Sequence, residues 1–457
     1  MANSYLNRTP SSTGNRKTFT ISMWMKRSKI DNNQKVFTAG TAGTESGLQF
    51  YDGSTENTLR FYEYSSSSDQ FVIAPNRLLR DTNAWYHIVI AVDTTQATAS
   101  NRIKYYVNGV QETSFATATY PSQNYDTLFN LSGTVNTVGF LSGHSAYFDG
   151  YMSHVALVDG QQLAPTVFGE TDSTSGIWKF KSPSGVTWGT NGFHLKFENS
   201  ANLGLDSSGQ TNNFTVNGNL KQALDTPSNV YATINPLYRM DFSNNATLSN
   251  GNNTFSSDQS GYNTRLGTLG VSKGKWYYEC KFISQNTHGN SSSPGMPFGI
   301  CGSQIPSGQV SAGHAQYDYS YNYDGSNGTV QVNQTSTNYG TTLLNATGQI
   351  GMCAFDLDNN KLYFGVNGVW TNSGNPGGNA NGFTIADPND TELGFYFPST
   401  SDRSSNRSYV YSFNFGNGFF GTTAITSAGS NGNGSLFEYD VPSGYYALNT
   451  KNINTYG

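Results

Sequence analysis

The side chains in this chain that could do chemistry are carboxylates, imidazoles and phenols, and their spacing limits what that chemistry is. Hydrolysis of a glycosidic bond needs two carboxyl groups about 5–9 Å apart on one cleft. On a strand this would show as alternating acids, and a Glu-x-Asp-x-x-Glu pattern is absent from the sequence. Asp356 and Asp358 are spaced i, i+2, but beside Asn359 and Asn360 they read as turn formers. Glu438 and Asp440 fall in a polar stretch near the C-terminus and read as solvated. The six histidines, His87, His144, His154, His194, His288 and His314, stand singly rather than at metal-ligand spacing. His87 and His154 lie in strand-like runs and read as core or face residues with a satisfied nitrogen. These observations predict a protein that is not an enzyme.

The phenols are more suggestive. Tyr317, Tyr319, Tyr321 and Tyr323 alternate through eight residues, and a strand with period two would put all four rings on one face. Four phenols in a core would each need a polar partner. The stripe therefore reads either as a cross-strand tyrosine ladder or as a ligand-binding face rich in Tyr, Ser and Asn. Trp370, after Asn367-Gly368-Val369, reads as a cover for its own hairpin.

The elements that must position these groups are short strands. Two stretches carry the same device: Trp85–Asp93 followed by Lys104–Gly109, and Ile350–Asp356 followed by Lys361–Gly368. In each, a strand ending in Asp leads through a loop to a second strand and an Asn-Gly pair. Asn and Gly tolerate positive φ, so the pair marks a hairpin. Period-two runs such as Thr18–Lys26, Leu48–Tyr51 and Leu59–Tyr62 are bounded by Gly, Ser and Asp turns. Of 457 residues only 12% are charged while 14% are aromatic, and Gly numbers 50. Disordered chains combine high charge with few aromatics, so the composition predicts packed, turn-rich β structure. A net charge of −5 offers no basic field to a phosphate backbone, which argues against nucleic acid as a partner. Cys280, Cys301 and Cys353, an odd number without close spacing, read as small buried hydrophobes. The first residues show no basic-then-apolar export pattern, and no apolar run nears the roughly 18 residues of a membrane span.

Thr18–Lys26, the Trp85–Val89 strand, the Tyr106–Gly109 hairpin and Phe148–Ser153, in that order, resemble the laminin-G-like, concanavalin A-like lectin family over about residues 1–170. Lys275–Glu279, Phe298–Ile300, Gly351–Phe364, Asn367–Trp370 and Asn414–Gly416 resemble the SPRY (B30.2) family over about 240–420, which implies that Trp370 lies in a recognition loop and is a further ligand-binding candidate. The expected fold class is all-β, with two concanavalin A-like antiparallel β-sandwich (jelly-roll) domains in tandem. The expected division is 1–170 for the first sandwich and 171–235 for a bridge. The bridge has strands that would complete that sandwich, then a linker. A SPRY-like sandwich follows over 236–425, and a tail segment over 426–457.

The tandem, with the phrases Asp206–Phe214 and Asp225–Pro236, resembles structural proteins of tailed bacteriophages. That resemblance implies a virion surface protein of tail-fibre or adhesin type, made in the host cytoplasm and released by lysis. Its partners would be other virion proteins and a host-surface glycan or receptor, with no membrane span and with homo-oligomerisation. A head or tail decoration protein and a polysaccharide depolymerase are the alternatives. The lectin resemblance implies no cofactor beyond a possible calcium ion, held by loop oxygens of Asn108, Asp149 and Asp206. The competing reading makes these three turn and cap residues only.

Overall fold

The computed structural model describes residues 4–30, 33–51, 57–238, 240–241, 246–257, 263–287, 296–304, 317–401 and 407–457. His288 and His314 lie outside the described residues. The chain divides into two units, Met1–Gln222 with Thr226–Ser228, and Ala223–Asp225 with Asn229–Gly457.

The first unit is built from β1 (Tyr5–Arg8), β2 (Thr18–Arg27), β3 (Gln34–Thr41), β4 (Thr44–Phe50), β5 (Leu59–Ser65), β6 (Ser68–Pro75), β7 (Tyr86–Asp93) and β8 (Ile103–Val107). It continues with β9 (Val110–Gln111), β10 (Phe115–Thr119), β11 (Asn136–Val138), β12 (Gly150–Asp159), β13 (Gly169–Thr171), β14 (Trp178–Phe180), β15 (Phe193–Leu195) and β16 (Thr215–Asn217). One sheet of eight is ordered β10-β6-β5-β4-β3-β11-β1-β16, and one of six β15-β12-β2-β7-β8-β9. Alternation decides which face each strand buries. Phe19, Ile21, Met23 and Met25 of β2 and Ile88, Ile90 and Val92 of β7 enter the core, where they meet Phe37, Leu48, Phe61 and Ile73 from the other sheet. Each such side chain contributes roughly 1.5–3 kcal/mol on burial. The bridge supplies one strand to each sheet, since β15 pairs with β12 and β16 with β1.

The second unit is built mainly on two sheets, beside the small pair Phe419–Phe420 and Thr423–Ala424. One orders Met240–Asp241, Asn263–Leu266, Phe397–Ser401, Met296–Cys301, Ser320–Asp324, Thr329–Val332 and Thr335–Asn338. The other orders Thr247–Ser249, Thr254–Ser256, Arg407–Asn414, Lys275–Thr287, Ile350–Asp356, Lys361–Val366 and Val369–Trp370. Trp276, Tyr278, Phe298, Phe355 and Phe364 lie in its core. The three cysteines are buried and in no disulfide.

Two segments differ from the sequence expectation. The stretch expected to be a linker is bound into the second unit from Asn229 onward, because Tyr231, Ala232 and Ile234 are apolar and buried. Ala232 N–H donates to Leu448 O at 2.9 Å. The 426–457 segment is likewise no tail: Phe437, Val441, Tyr445 and Leu448 are buried, and Tyr446–Ala447 pairs with Trp276–Tyr277. It ends in the helix Thr450–Tyr456, whose first turn is capped by the Asn449 side chain accepting from Asn452 N–H at 2.9 Å.

Candidate functional site

The first unit's larger sheet carries on its outer face, away from the core, a set of polar and aromatic side chains in three cross-strand rows. Lys35, Gln49 and Arg60 share one row, Thr38, Gly47 and Tyr62 the next, and Gly40, Glu45, Tyr64 and Asp69 the third. Directly paired side chains on neighbouring strands sit within contact range. The pattern depends on an irregularity in β3: Lys35 pairs with Gln49 but Phe37 with Leu48, leaving Val36 as an extra residue. Without that bulge Lys35 and Phe37 would share a face. With it, Phe37 enters the core and Lys35 joins the outer face.

Gly47 makes the middle row a dent. A Cβ there would lie 2.4 Å from Phe37 O and 2.9 Å from Thr38 Cα, so no larger residue fits without parting the strands. Over the neighbouring side chains lies a cleft of about 410 Å³ lined by Asn33, Lys35, Gly43, Glu45, Gln49, Tyr51, Arg60, Tyr62, Tyr64, Asp69 and His144. Its floor is a fixed network. The Lys35 ammonium donates to Gln49 Oε1 at 2.8 Å and to the Tyr62 hydroxyl at 2.6 Å, and lies 3.7 Å from Glu45 Oε1. Tyr62 donates to Glu45 Oε1 at 3.1 Å, and Glu45 Oε2 accepts from Gly43 N–H at 2.6 Å. Gln49 Nε2 donates to Asn33 Oδ1 at 3.0 Å. Burial, reinforced by the Glu45 charge, pushes the Tyr62 phenol far above its ordinary range, so it stays a neutral donor. On the rim, the Arg60 guanidinium lies 3.7 Å from the Tyr51 ring centre and 4.3 Å from that of Tyr62. Arg60 Nη2 donates to Gln49 Oε1 at 3.2 Å. Fixed polar atoms beneath exposed ring faces can hold a polyhydroxyl ligand, with hydroxyls bonded and C–H faces stacked.

The sequence candidates fall elsewhere. Only Tyr321 and Tyr323 are on a strand, and they face the second unit's core, 6% and 0% exposed. Their phenols are satisfied at the core's margin: Tyr321 OH accepts from Ala386 N–H at 3.1 Å, and Tyr323 OH donates to Thr342 O. Tyr317 and Tyr319 occupy the turn before that strand, half-buried against separate apolar clusters. The four rings therefore form no common face, which corrects the expected stripe. Trp370 is half-buried and edge-on to Tyr277 at 6.3 Å, covering its hairpin.

The proposed calcium ligands are engaged otherwise. Asn108 Oδ1 accepts from His87 N–H at 2.8 Å. Asp206 Oδ1 takes His194 N–H and Ser208 N–H, and its Oδ2 takes the Ser208 hydroxyl and Asn212 N–H, all at 2.8–2.9 Å. Four donors fill that carboxylate's acceptor positions. Asp149 is half-buried in a loop where its carbonyl accepts from Ser28 N–H at 2.9 Å. The turn-and-cap reading describes Asn108 and Asp206. Among the described residues, no three His, Cys, Asp or Glu side chains form a metal-holding group.

The fold does bring three histidines near one another on the outer face of the six-stranded sheet. His154 Nδ1 lies 3.2 Å from His194 Nε2, and His87 stacks on Trp24 at 4.7 Å. Trp178 Nε1–H donates to His87 Nδ1 at 3.0 Å, which leaves Nε2–H to donate to Ser22 Oγ at 2.9 Å. Burial pushes all three down, His87 and His154 to about 3 and His194 to about 4. They are neutral packing groups. A serine-elbow spacing occurs at Gly270-Val271-Ser272-Lys273-Gly274, but it turns into the strand Lys275–Thr287 rather than into a helix, so it lacks the elbow's framework.

The sequence named His144 only as a single imidazole and marked none of the cleft residues as a binding site. The legible signal was the alternation Glu45, Gly47, Gln49, Tyr51 and Arg60, Tyr62, Tyr64, with a glycine in mid-strand.

Residues 2–168 match the family model described as the Concanavalin A-like lectin/glucanases superfamily. No curated protein matches the chain. Among solved structures, the chain is similar to the SPRY domain of human HERC1, at 18% identity over 37% of this chain and 91% of that one, with a TM-score of 0.27. It is similar to domain 4 of AbnA, an extracellular arabinanase from Geobacillus stearothermophilus, in complex with arabinotriose, at 18% identity over 35% and 68%, TM-score 0.27. It is also similar to the heptameric SAP-like pentraxin of Limulus polyphemus, at 13% identity over 47% and 88%, TM-score 0.29.

Proposed function

We propose that this chain is a non-enzymatic surface-recognition protein whose first unit binds a saccharide on the outer face of β3–β6. The observation that carries the reading is the buried, mutually bonded set Lys35, Glu45, Gln49 and Tyr62 beneath a dent edged by Tyr51, Arg60 and Tyr64. Such a set is built before any ligand arrives, so binding does not have to order it. The match of residues 2–168 to a superfamily of lectins and glucanases is consistent with sugar as the ligand class. Binding rather than cleavage is favoured because both Glu45 oxygens are taken, by Tyr62 with Lys35 and by Gly43 N–H. A nucleophile or acid needs an oxygen aimed at the scissile bond instead.

We further propose that the chain is carried on the surface of a tailed-phage particle and attaches it to host glycan. This part rests on the succession of motifs read in the sequence. A glycan array and retention on isolated host envelope test the recognition role, and antibody labelling of particles tests the location. Binding lost on Tyr51→Ala or Tyr62→Phe supports the cleft. Absence of binding to every glycan and to envelope overturns the adhesive reading, and product release from host polysaccharide overturns the non-enzymatic one.

A further inference from the structure

We propose that the cleft on β3–β6 is selective for an anionic sugar, with Arg60 as the residue that reads the charge. This deepens the saccharide reading and rests on it.

The two cations of the cleft are held differently. Lys35 is buried with Glu45 3.7 Å away, their side chains 3% and 8% exposed, so its charge is compensated inside the protein. Arg60 has no carboxylate partner among the described residues. Its one polar bond there is Nη2 to the neutral amide oxygen of Gln49, and its Nε is buried without a partner. The Tyr51 and Tyr62 rings, 3.7 and 4.3 Å from the guanidinium carbon, fix where the group sits. A guanidinium pre-positioned against aromatic faces keeps most of its five donors for an incoming group. Its planar fork suits an oxyanion far better than a lone hydroxyl.

Among the described residues lining the cleft, Arg60 is half-buried and the exposed charge is Asp69, paired with Tyr64. Tyr64 stands four residues beyond Arg60 on the same face of β5, about 13 Å along the strand. An acidic sugar is therefore attracted at the Arg60 end and repelled at the Asp69 end, where a hydroxyl-bearing unit is the better fit. The polarity gives a chain one preferred direction across the rows. An oxyanion on a sugar comes from a uronate carboxylate or from a phosphate ester, and the Arg60 fork accepts both.

Calorimetry on the full chain tests this with three probes: an oligo-uronate, the same oligosaccharide after carboxyl reduction, and a phosphorylated counterpart. An anionic probe is expected to bind at least about tenfold tighter than the reduced one, a preference that shrinks as salt rises. Arg60→Gln is expected to abolish the preference, lowering affinity for the anionic probe at least about tenfold more than affinity for the reduced one. Arg60→Lys, which keeps the charge but not the fork, is expected to restore part of it. Preference for uronate supports a carboxylate-bearing ligand, and preference for the phosphorylated probe a phosphate-bearing one. Equal affinity for charged and neutral probes, or a preference that survives Arg60→Gln, overturns the role of Arg60 and leaves the saccharide reading standing. Failure of all three probes together with a neutral glycan panel overturns the saccharide reading itself.

Discussion

Asn108 and Asn367, in different units, close their hairpins with the same pair of hydrogen bonds. Asn108 N–H donates to His87 O while its Oδ1 accepts from His87 N–H, and Asn367 does the same with Ile350, all four at 2.8 Å. Both residues sit at φ 48°, followed by Gly109 at 80° and Gly368 at 81°. The side chain takes the place of the next backbone group, so each ladder gains a rung where the strand has already turned.

Replacing either residue tests that account. Asn108→Ala or Asn367→Ala leaves a strand-end N–H without its acceptor and puts a residue with no local side-chain bond in the left-handed region. Each is expected to cost about 1–3 kcal/mol in chemical denaturation. Asn→Asp, which keeps the acceptor, and Asn→Gly, which keeps the backbone freedom, are expected to cost less. Equal losses for all three would show that the side-chain bond contributes nothing.

The Lys35–Glu45 pair is predicted to be strongly coupled. Lys35→Met leaves the Glu45 carboxylate buried without its cation, and Glu45→Gln strands the ammonium. Removing one partner of a buried pair costs roughly 3–5 kcal/mol. The double variant is expected to be less destabilised than the sum of the singles, by at least about 1 kcal/mol in a denaturant cycle. Additive losses would mean that the two charges do not support one another.

Gly47 sets how closely β3 and β4 lie, and so where the cleft's Lys35, Glu45 and Gln49 stand. In Gly47→Ala the new Cβ meets the backbone of Phe37 and Thr38, which cannot swing aside as a side chain can. The expected loss is about 1–3 kcal/mol of stability together with the loss of saccharide binding. Full retention of both would show that β3 and β4 part without consequence and that the dent does not matter.

Much of the framework was readable because alternation and turn chemistry are local. Phe19, Ile21 and Met23 announce a buried face, and Asn108-Gly109 a hairpin, within a few residues each. Asp93 and Asp356, read as strand ends, accept from Thr95 N–H at 3.1 Å and from Asp358 and Asn359 N–H at 3.1 and 3.0 Å. The site was not readable, because its rows exist only after register is set. Lys35 meets Tyr62 across 27 residues, and only because Val36 bulges out of the β3 ladder. The tyrosine stripe misled for a related reason. Period two gave a shared face, but only two of the four rings lie on a strand, and backbone groups at the core's margin satisfy both of those phenols.

The two units are predicted to respond to pH in opposite directions. In the first, His87 and His154 are pushed to about 3 and His194 to about 4 by burial, with His154 beside His87, His194 and Lys196 beside His154, and Lys196 beside His194 adding to the effect. Unfolding frees these rings to take up protons near 6.5, so between about 6.5 and about 4 the unfolded chain binds more protons than the folded one. The first unit therefore loses stability as pH falls through that window. In the second, Glu279 is fully buried and raised to about 7 by burial. Bonds from Tyr277 OH, Asn414 Nδ2 and the N–H groups of Glu438 and Tyr439, at 2.9–3.3 Å, only partly offset that rise. Here the folded chain binds the extra proton, so stability falls as pH rises from about 4.5 through about 7. Each buried group contributes on the order of a few kcal/mol at the far end of its window. Hydrogen exchange of the β7 amides and of Lys275–Phe282, followed from pH 4 to pH 8 on the full chain, separates the two. Glu279→Gln is expected to flatten the second slope even though its amide NH₂ must face a backbone N–H, which lowers stability at every pH. His154→Gln is expected to reduce the first slope. Parallel slopes in both units, or a Glu279→Gln variant that keeps the wild-type slope, would mean that these buried groups do not govern the response.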